Sequence, residues 1–303
     1  MLGVGSASGK FGELLQGELP EKDSHFLVSF PISHFSIARF SYLNSDKNIT
    51  IFPPHKIKSI TLAKKIMTYF GLSQGWQLTI FSQIAEGKGL GSSTADLVAC
   101  ARAITNAVRM HLPMKVFLKF LKEIEPSDGV MYEGAVCFYH RKVRLHSRLN
   151  CFPNLMIAGM DEGGSIDTVK FNQELRSYTL KERKEYAVLL DEIISATKNS
   201  NIKKIGAIST RSAILNQQIN PKRNLDYFIN ICNTIEGIGV ISAHSGTYIG
   251  IILDKNDQSY FEKLVFIEKK AKERFLLMEK FDLFPGNNKL LPVESNMRIN
   301  NVP

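Results

Sequence analysis

The sequence predicts an α+β fold in two layered halves, residues 1–150 and 151–303. Three observations carry this expectation. Strand-like alternation and helix-like apolar spacing occur in both halves, which calls for sheets with helices packed on them. The 303 residues amount to two domains at roughly 150 residues each. Hydrophobic residues make up 44% and charged residues 22%, so the chain can bury a core and is not of the disordered class.

The elements follow in order. Alternation from Leu27 to Tyr42 sets Phe35 and Ile37 opposite Ala38, Phe40 and Tyr42 and predicts a strand. Ile49–Phe52 is a second short strand, closed by Pro53-Pro54. His55–Phe70 has helical spacing, with Ile57, Ile60, Met67 and Phe70 on one stripe and Gly71 as its stop. Trp76–Phe81 alternates again and leads into a glycine-rich loop. Beyond the loop, Leu97, Ala101, Ile104 and Val108 mark a helix, and Met114–Ile124 marks another that ends before Pro126. Ala135–Tyr139 and Val143–His146 make a hairpin, and Asn150–Pro153 a boundary. The second half holds a strand at Leu155–Met160, helices near 180–198, 202–217 and 224–236, and strands at Gly239–Ser242 and Thr247–Leu253. A helix near 258–274, a strand-like Phe275–Phe284 and a polar, partly unstructured tail from Pro285 complete the chain.

Composition excludes several classes. Lys and Arg number 38 against 29 Asp and Glu, a formal charge of +9. Such an excess suits nucleic acid, a membrane surface or a phosphorylated small molecule. The basic residues are spread along helices, however, and Lys269, Lys270, Lys272 and Arg274 are interleaved with Glu268 and Glu273. They predict a solvated surface rather than a nucleic-acid partner. A mean hydropathy of -0.07 and the lack of long apolar runs exclude a bundle of membrane spans. The opening Met1–Ser6 has no basic region before an apolar one, so no secretory signal is expected. Cys100, Cys137, Cys151 and Cys232 are scattered without a CxxC pair, which excludes a zinc ribbon or disulfide framework and fits a reducing compartment. The expectation is a cytoplasmic protein, with a homodimer left open.

The strongest chemical signal is Glu86-Gly87-Lys88-Gly89-Leu90-Gly91-Ser92-Ser93-Thr94-Ala95-Asp96, with a strand before it and a helix after. Glycines let a backbone approach a ligand closely, and the first turn of a helix presents free N–H groups and the positive end of its dipole. A polyphosphate suits such a place. Ser92, Ser93 and Thr94 add hydroxyls for phosphate oxygens or a magnesium shell. The stretch is neither GxxxxGK[ST] nor GxGxxG with a following acid. The plainer alternative is a serine N-cap beside a glycine turn.

Gly89-Leu90-Gly91-Ser92-Ser93-Thr94-Ala95 resembles the Gly-Leu-Gly-Ser-Ser-Ala-Ala loop of the GHMP kinase superfamily, which includes galactokinase, homoserine kinase, mevalonate kinase and phosphomevalonate kinase. The likeness sharpens toward the L-threonine kinase branch, associated with cobalamin synthesis and propanediol utilisation. It does so at Gly12-Glu13-Leu14-Leu15-Gln16-Gly17, Glu125-Pro126-Ser127-Asp128-Gly129, Asp161–Thr168, Ser212–Gln217 and Ala243-His244-Ser245-Gly246-Thr247. These segments run in order to about residue 253. The resemblance implies a two-domain fold, an N-terminal ATP-binding domain (1–150) and a C-terminal domain (151–303), with ATP and substrate in the cleft between them. It implies a kinase that uses ATP and Mg2+ to phosphorylate a small hydroxy amino acid, L-threonine first. The alternatives are another small hydroxy compound such as serine, or a non-catalytic basic protein that binds nucleic acid. Two features depart from the branch: Lys10-Phe11 stands where a Ser-Cys pair is usual, and Ser245-Gly246-Thr247 is less glycine-rich than the usual third motif.

The resemblance assigns Gly87, Lys88, Gly89, Leu90, Gly91, Ser92, Ser93 and Thr94 to the nucleotide. It makes Asp128 the acceptor of the substrate hydroxyl's proton, against the alternative of a Pro-Ser-Asp-Gly turn. Ser93 and Glu125 become magnesium ligands, and Glu13, Gln16 and Gly246 substrate residues, Glu13 pairing with an α-ammonium. Lys10 is either a phosphate ligand or a surface residue. His244 is expected to be packed and hydrogen-bonded rather than a base, and the glycines between Asp161 and Asp167 suit a cleft-lining turn as well as an ordinary one.

Overall fold

A computed structural model describes the chain apart from residue 22, residues 44–47, 151, 153, 165, 167–177 and 285–303. Asp167 and the tail from Pro285 lie outside the described residues, as does part of the expected boundary at 150–153. Three four-stranded sheets organise the rest. The first has the order β1-β4-β6-β5, from β1 (Leu2–Lys10), β4 (Pro31–Tyr42), β5 (Ile49–Phe52) and β6 (Trp76–Ser82). The second is β2-β3-β7-β8, from β2 (Leu15–Glu18), β3 (His25–Ser29), β7 (Ala135–Tyr139) and β8 (Arg144–Leu149). The third is β10-β11-β9-β12, from β9 (Leu155–Asp161), β10 (Gly239–Ser242), β11 (Tyr248–Asp254) and β12 (Met278–Asp282). The helices are α1 (Ile57–Phe70), α2 (Ser92–Val108), α3 (Met114–Ile124), α4 (Leu180–Lys198), α5 (Ile202–Asn216), α6 (Leu225–Thr234) and α7 (Tyr260–Lys272).

Most expected elements form, and the differences have physical causes. The alternation from Leu27 to Tyr42 is two strands, because the chain passes from one sheet to another at Phe30-Pro31. β1 and β2 were not expected. The small residues of β1 give no apolar alternation, and they allow the strand to lie directly on α2. In α1 the buried face is Leu62, Ala63, Ile66 and Met67, while Ile57 is 67% exposed at the start of the helix.

The third sheet is covered on both faces. Leu155 and Ile157 of β9 join the main core, whereas Met156, Ala158 and Met160 point into a second core with Phe228, Ile231 and Leu264. Such two-sided burial explains why β9 and β11 read as continuous apolar runs. The halves meet through a bridge between Glu13 and Ser242, so the segment after β1 is held against the end of β10. Among the described residues, no helix is long and apolar enough to cross a membrane.

Candidate functional site

A cleft of about 420 Å3 opens where the first two sheets and the β10–β11 loop converge. One wall is the glycine loop. Gly91 has φ 73°, a left-handed conformation that disfavours any residue with a Cβ. A Cβ there would also stand 3.0 Å from Lys10 Cγ and 3.4 Å from Asp128 Oδ2. Gly91 is the N-cap of α2, and no side chain caps this helix. The serine-cap alternative therefore does not describe it. The first-turn N–H groups are left for a ligand, with the dipole's positive end beside them. Ser92, Ser93 and Thr94 line the cleft along with Gly87, Gly89 and Gly91.

The opposite end gathers residues from distant segments. Lys10, at the end of β1, is 4% exposed and its ammonium pairs with Glu13 and, at 3.3 Å, with Asp128 Oδ1. Burial opposes this charge, but Asp128 and Glu13 outweigh it and raise the Lys10 pKa, so the ammonium persists. Asp128 follows α3 and donates its N–H to Thr94 Oγ1 at 3.1 Å, which ties it to the first turn of α2. Ser93 Oγ donates to Glu125 Oε1, and Lys58 donates to the other oxygen of the same carboxylate. The surface-residue alternative for Lys10 is thereby excluded.

Four of the expected site residues have other surroundings. Leu90 is buried in the core, and the Lys88 side chain turns away to Asp161 (2.5 Å) and to the carbonyl of Gly164 (2.6 Å). Gln16 lies behind the cleft wall, with Oε1 2.7 Å from His244 Nδ1. Gly246 packs directly on the backbone of Lys88 and Gly89, where a Cβ would collide. It joins the glycine loop to the β10–β11 loop. Glu13 lines the cleft, but both its oxygens are engaged, one by Lys10 and one by the N–H of His244 at 2.6 Å. His244 is packed and hydrogen-bonded as expected, and burial, then His140, holds its imidazole well below the usual value and therefore neutral.

Sequence reasoning missed Lys56, Lys58 and His140, which also line the cleft. Lys56 pairs with Asp96 (2.5 Å) and Glu86 (2.7 Å), and Asp96 also accepts from Ser36 Oγ (2.5 Å). Burial pushes the Asp96 carboxyl up, against the pull of Lys56 and Ser36. The signal was present in His55-Lys56-Ile57-Lys58, where two lysines open a helix. Lysines are unfavourable at that end of the dipole and need another reason to be there. The cleft lining carries three lysines (Lys10, Lys56, Lys58) against five carboxylates (Glu13, Glu86, Asp96, Glu125, Asp128). A cation-bearing ligand set is thereby favoured.

The donor set fits a nucleotide carried with magnesium. The uncapped helix start and glycine cradle suit a polyphosphate. Ser93 and Glu125 offer two hard oxygen ligands, and magnesium is ordinarily held by one or two protein groups together with substrate phosphates. Among the described residues no three His, Cys, Asp or Glu side chains gather as a metal cage.

Residues 57–138 match the family described as GHMP kinases N terminal domain. An L-threonine kinase from Citrobacter freundii is 25% identical over 279 residues, which is 89% of this chain and 93% of that one. An L-threonine kinase from Salmonella typhimurium (strain LT2) is 22% identical over 256 residues, 80% of each chain. Among solved structures, homoserine kinase from Cytophaga hutchinsonii superposes with a TM-score of 0.72 at 15% identity, covering 94% of this chain and 95% of that one. Residues 57–138 thus match a GHMP kinase N-terminal domain, within a chain that shares its fold, over nearly its whole length, with a homoserine kinase.

Proposed function

We propose that the chain is an ATP-dependent kinase that phosphorylates the side-chain hydroxyl of a small hydroxy amino acid, L-threonine first, giving O-phospho-L-threonine. One observation carries the proposal. The acid–base pair Lys10–Asp128 sits against Gly91, the last residue of the glycine loop, and Asp128 is bonded to the helix that follows it. A proton acceptor and a phosphate cradle therefore share one cleft. The L-threonine kinases at 25% and 22% identity support the substrate.

In this reading the loop 87–91 and the first turn of α2 hold the nucleotide's phosphates. Ser93 and Glu125 hold magnesium, which when bound neutralises phosphate charge. Asp128 accepts the proton of the acceptor hydroxyl while Lys10 keeps that carboxylate oriented. Phosphoryl transfer asks chiefly for such positioning and charge stabilisation. Glu13 contributes negative charge at the acceptor end, where an α-ammonium would be neutralised. The division near residue 150 into an ATP-binding and a C-terminal domain belongs to the same proposal. A cleft with more carboxylates than lysines opposes the alternative of nucleic acid bound there.

The test is an ADP-release assay with L-threonine, L-serine and 2-propanol in competition, products identified by mass spectrometry. Threonine is expected to lead serine by about 10–200-fold in kcat/KM, the range one methyl group allows, with the plain alcohol nearly inert. ADP release with the alcohol and none with threonine would overturn the substrate. No release with any acceptor would overturn the kinase.

A further inference from the structure

The β10–β11 loop is pulled from one side by a single side chain. Asn220 is buried, and its one amide nitrogen donates to the carbonyls of Ala243 (3.3 Å), His244 (2.9 Å) and Gly246 (3.0 Å). Lys222 adds its ammonium to the carbonyl of Gly246. In a trans peptide the C=O and the following N–H point in opposite directions. Each carbonyl turned to Asn220 therefore turns the next N–H to the other side of the loop. Two of these N–H groups can be followed to acceptors. That of His244 meets Glu13 Oε2 at 2.6 Å, and that of Thr247 meets the Lys88 carbonyl at 3.3 Å. Both acceptors belong to segments that wall the cleft. The third N–H is that of Ser245, which also lines the cleft, and no acceptor among the described residues takes it. Ser245 is 9% exposed, and buried N–H groups are paired with few exceptions.

We propose that Asn220 is a positioning residue: by holding three carbonyls behind the loop, it aims the Ser245 N–H into the cleft as a donor to an anionic oxygen of a bound ligand. The inference rests on the kinase reading. Within that reading the oxygen belongs to a nucleotide phosphate or to the acceptor's carboxylate, which offer a donor the same chemistry.

The experiment labels wild-type protein with 15N-serine and assigns the Ser245 amide by its loss in Ser245→Ala. ADP with magnesium and L-threonine are then titrated separately, each with calorimetry. The Ser245 amide is expected to move downfield with one of the two ligands, and that ligand identifies the oxygen. In Asn220→Asp, which keeps the shape but sets carboxylate oxygens against three carbonyls, the same ligand should bind about tenfold more weakly, as for one lost hydrogen bond to a charged group. The other should stay within about twofold, less than the tenfold step that one such bond makes. An amide that stays still under both ligands, with calorimetry showing them bound, would overturn the proposal. So would a folded Asn220→Asp that binds both as wild type does. If that variant does not fold, the wild-type titration decides alone. Neither ligand binding at all would sink the kinase reading instead, and this inference with it.

Discussion

The two ends of the cleft are built in opposite ways. The glycine-loop end is one contiguous stretch, residues 87–96, whose turn, helix start and hydroxyls come from neighbouring positions. The Asp128 end is assembled from the end of β1, the segment after it, the chain beyond α3, His140 after β7 and the β10–β11 loop. Its contact between Glu13 and His244 spans 231 positions. A contiguous turn carries its own geometry in its composition. A constellation of single residues has geometry only once the sheets have set their register.

The largest effect should come from the assembled end. Asp128→Asn keeps the shape and removes the proposed proton acceptor, so kcat should fall by about 10²–10⁴-fold, the usual contribution of general-base catalysis. Nucleotide affinity, a property of the other end, should change little. Full turnover in this variant would mean that Asp128 is a turn residue and that the two ends differ in construction but not in role.

That asymmetry decided what was legible. The loop and α2 were found from local sequence, since glycines before a helix have few other uses, whereas Asp128 was told from an ordinary turn residue only through resemblance. β9 and β11 of the third sheet were found because burial on both faces makes them apolar throughout. β1 was missed because its glycines and serines pack on α2 without any apolar signature. Glu13 was singled out only through resemblance, and its engagement on both oxygens required the bridge between Glu13 and Ser242. Lys56 and Lys58 looked like surface charge, because the carboxylates that fix them lie 40 and 67 positions away.

The next effect belongs to the glycine loop. Gly91→Val forces a β-branched residue to φ 73° and drives its Cβ toward Lys10 and Asp128. Strain of about 1–3 kcal/mol translates into roughly 5–150-fold weaker nucleotide binding. Calorimetry on a variant with a native circular dichroism spectrum reads it directly. Undiminished affinity would show that the phosphates do not lie on this loop.

A smaller effect lies where the two ends touch, at the bond between Ser93 and Glu125. Ser93→Ala should leave saturated turnover within about tenfold, as for the loss of one hydrogen bond, and raise the magnesium concentration needed to reach it. Lys58 occupies the other oxygen of Glu125, so Lys58→Met should move the magnesium requirement the opposite way. Identical magnesium titrations for all three proteins would remove Ser93 and Glu125 from the metal site.

The last effect concerns the loop that closes the Asp128 end, and it is one of stability, with the smallest expected change in turnover. Lys222 backs that loop from behind, buried at 4% exposure, and burial brings its pKa down to about 8 from an ordinary 10.5. Below pH 8 both folded and unfolded chains carry the proton, and the folded state bears the full penalty of a buried charge. Between about 8 and 10.5 the unfolded chain binds more protons than the folded one, so stability rises with pH through that window. Above it the penalty is gone. A shift of this size is worth on the order of 3 kcal/mol. Lys222→Met has no such group, so it should be relatively more stable at pH 7.5 and lose that advantage toward pH 10. The lost contact to Gly246 lowers the variant's stability but does not give the difference this slope. Urea unfolding of both proteins at the two pH values measures it. A gap that stays constant, or widens with pH, would mean that the Lys222 ammonium is not under strain where it holds the loop.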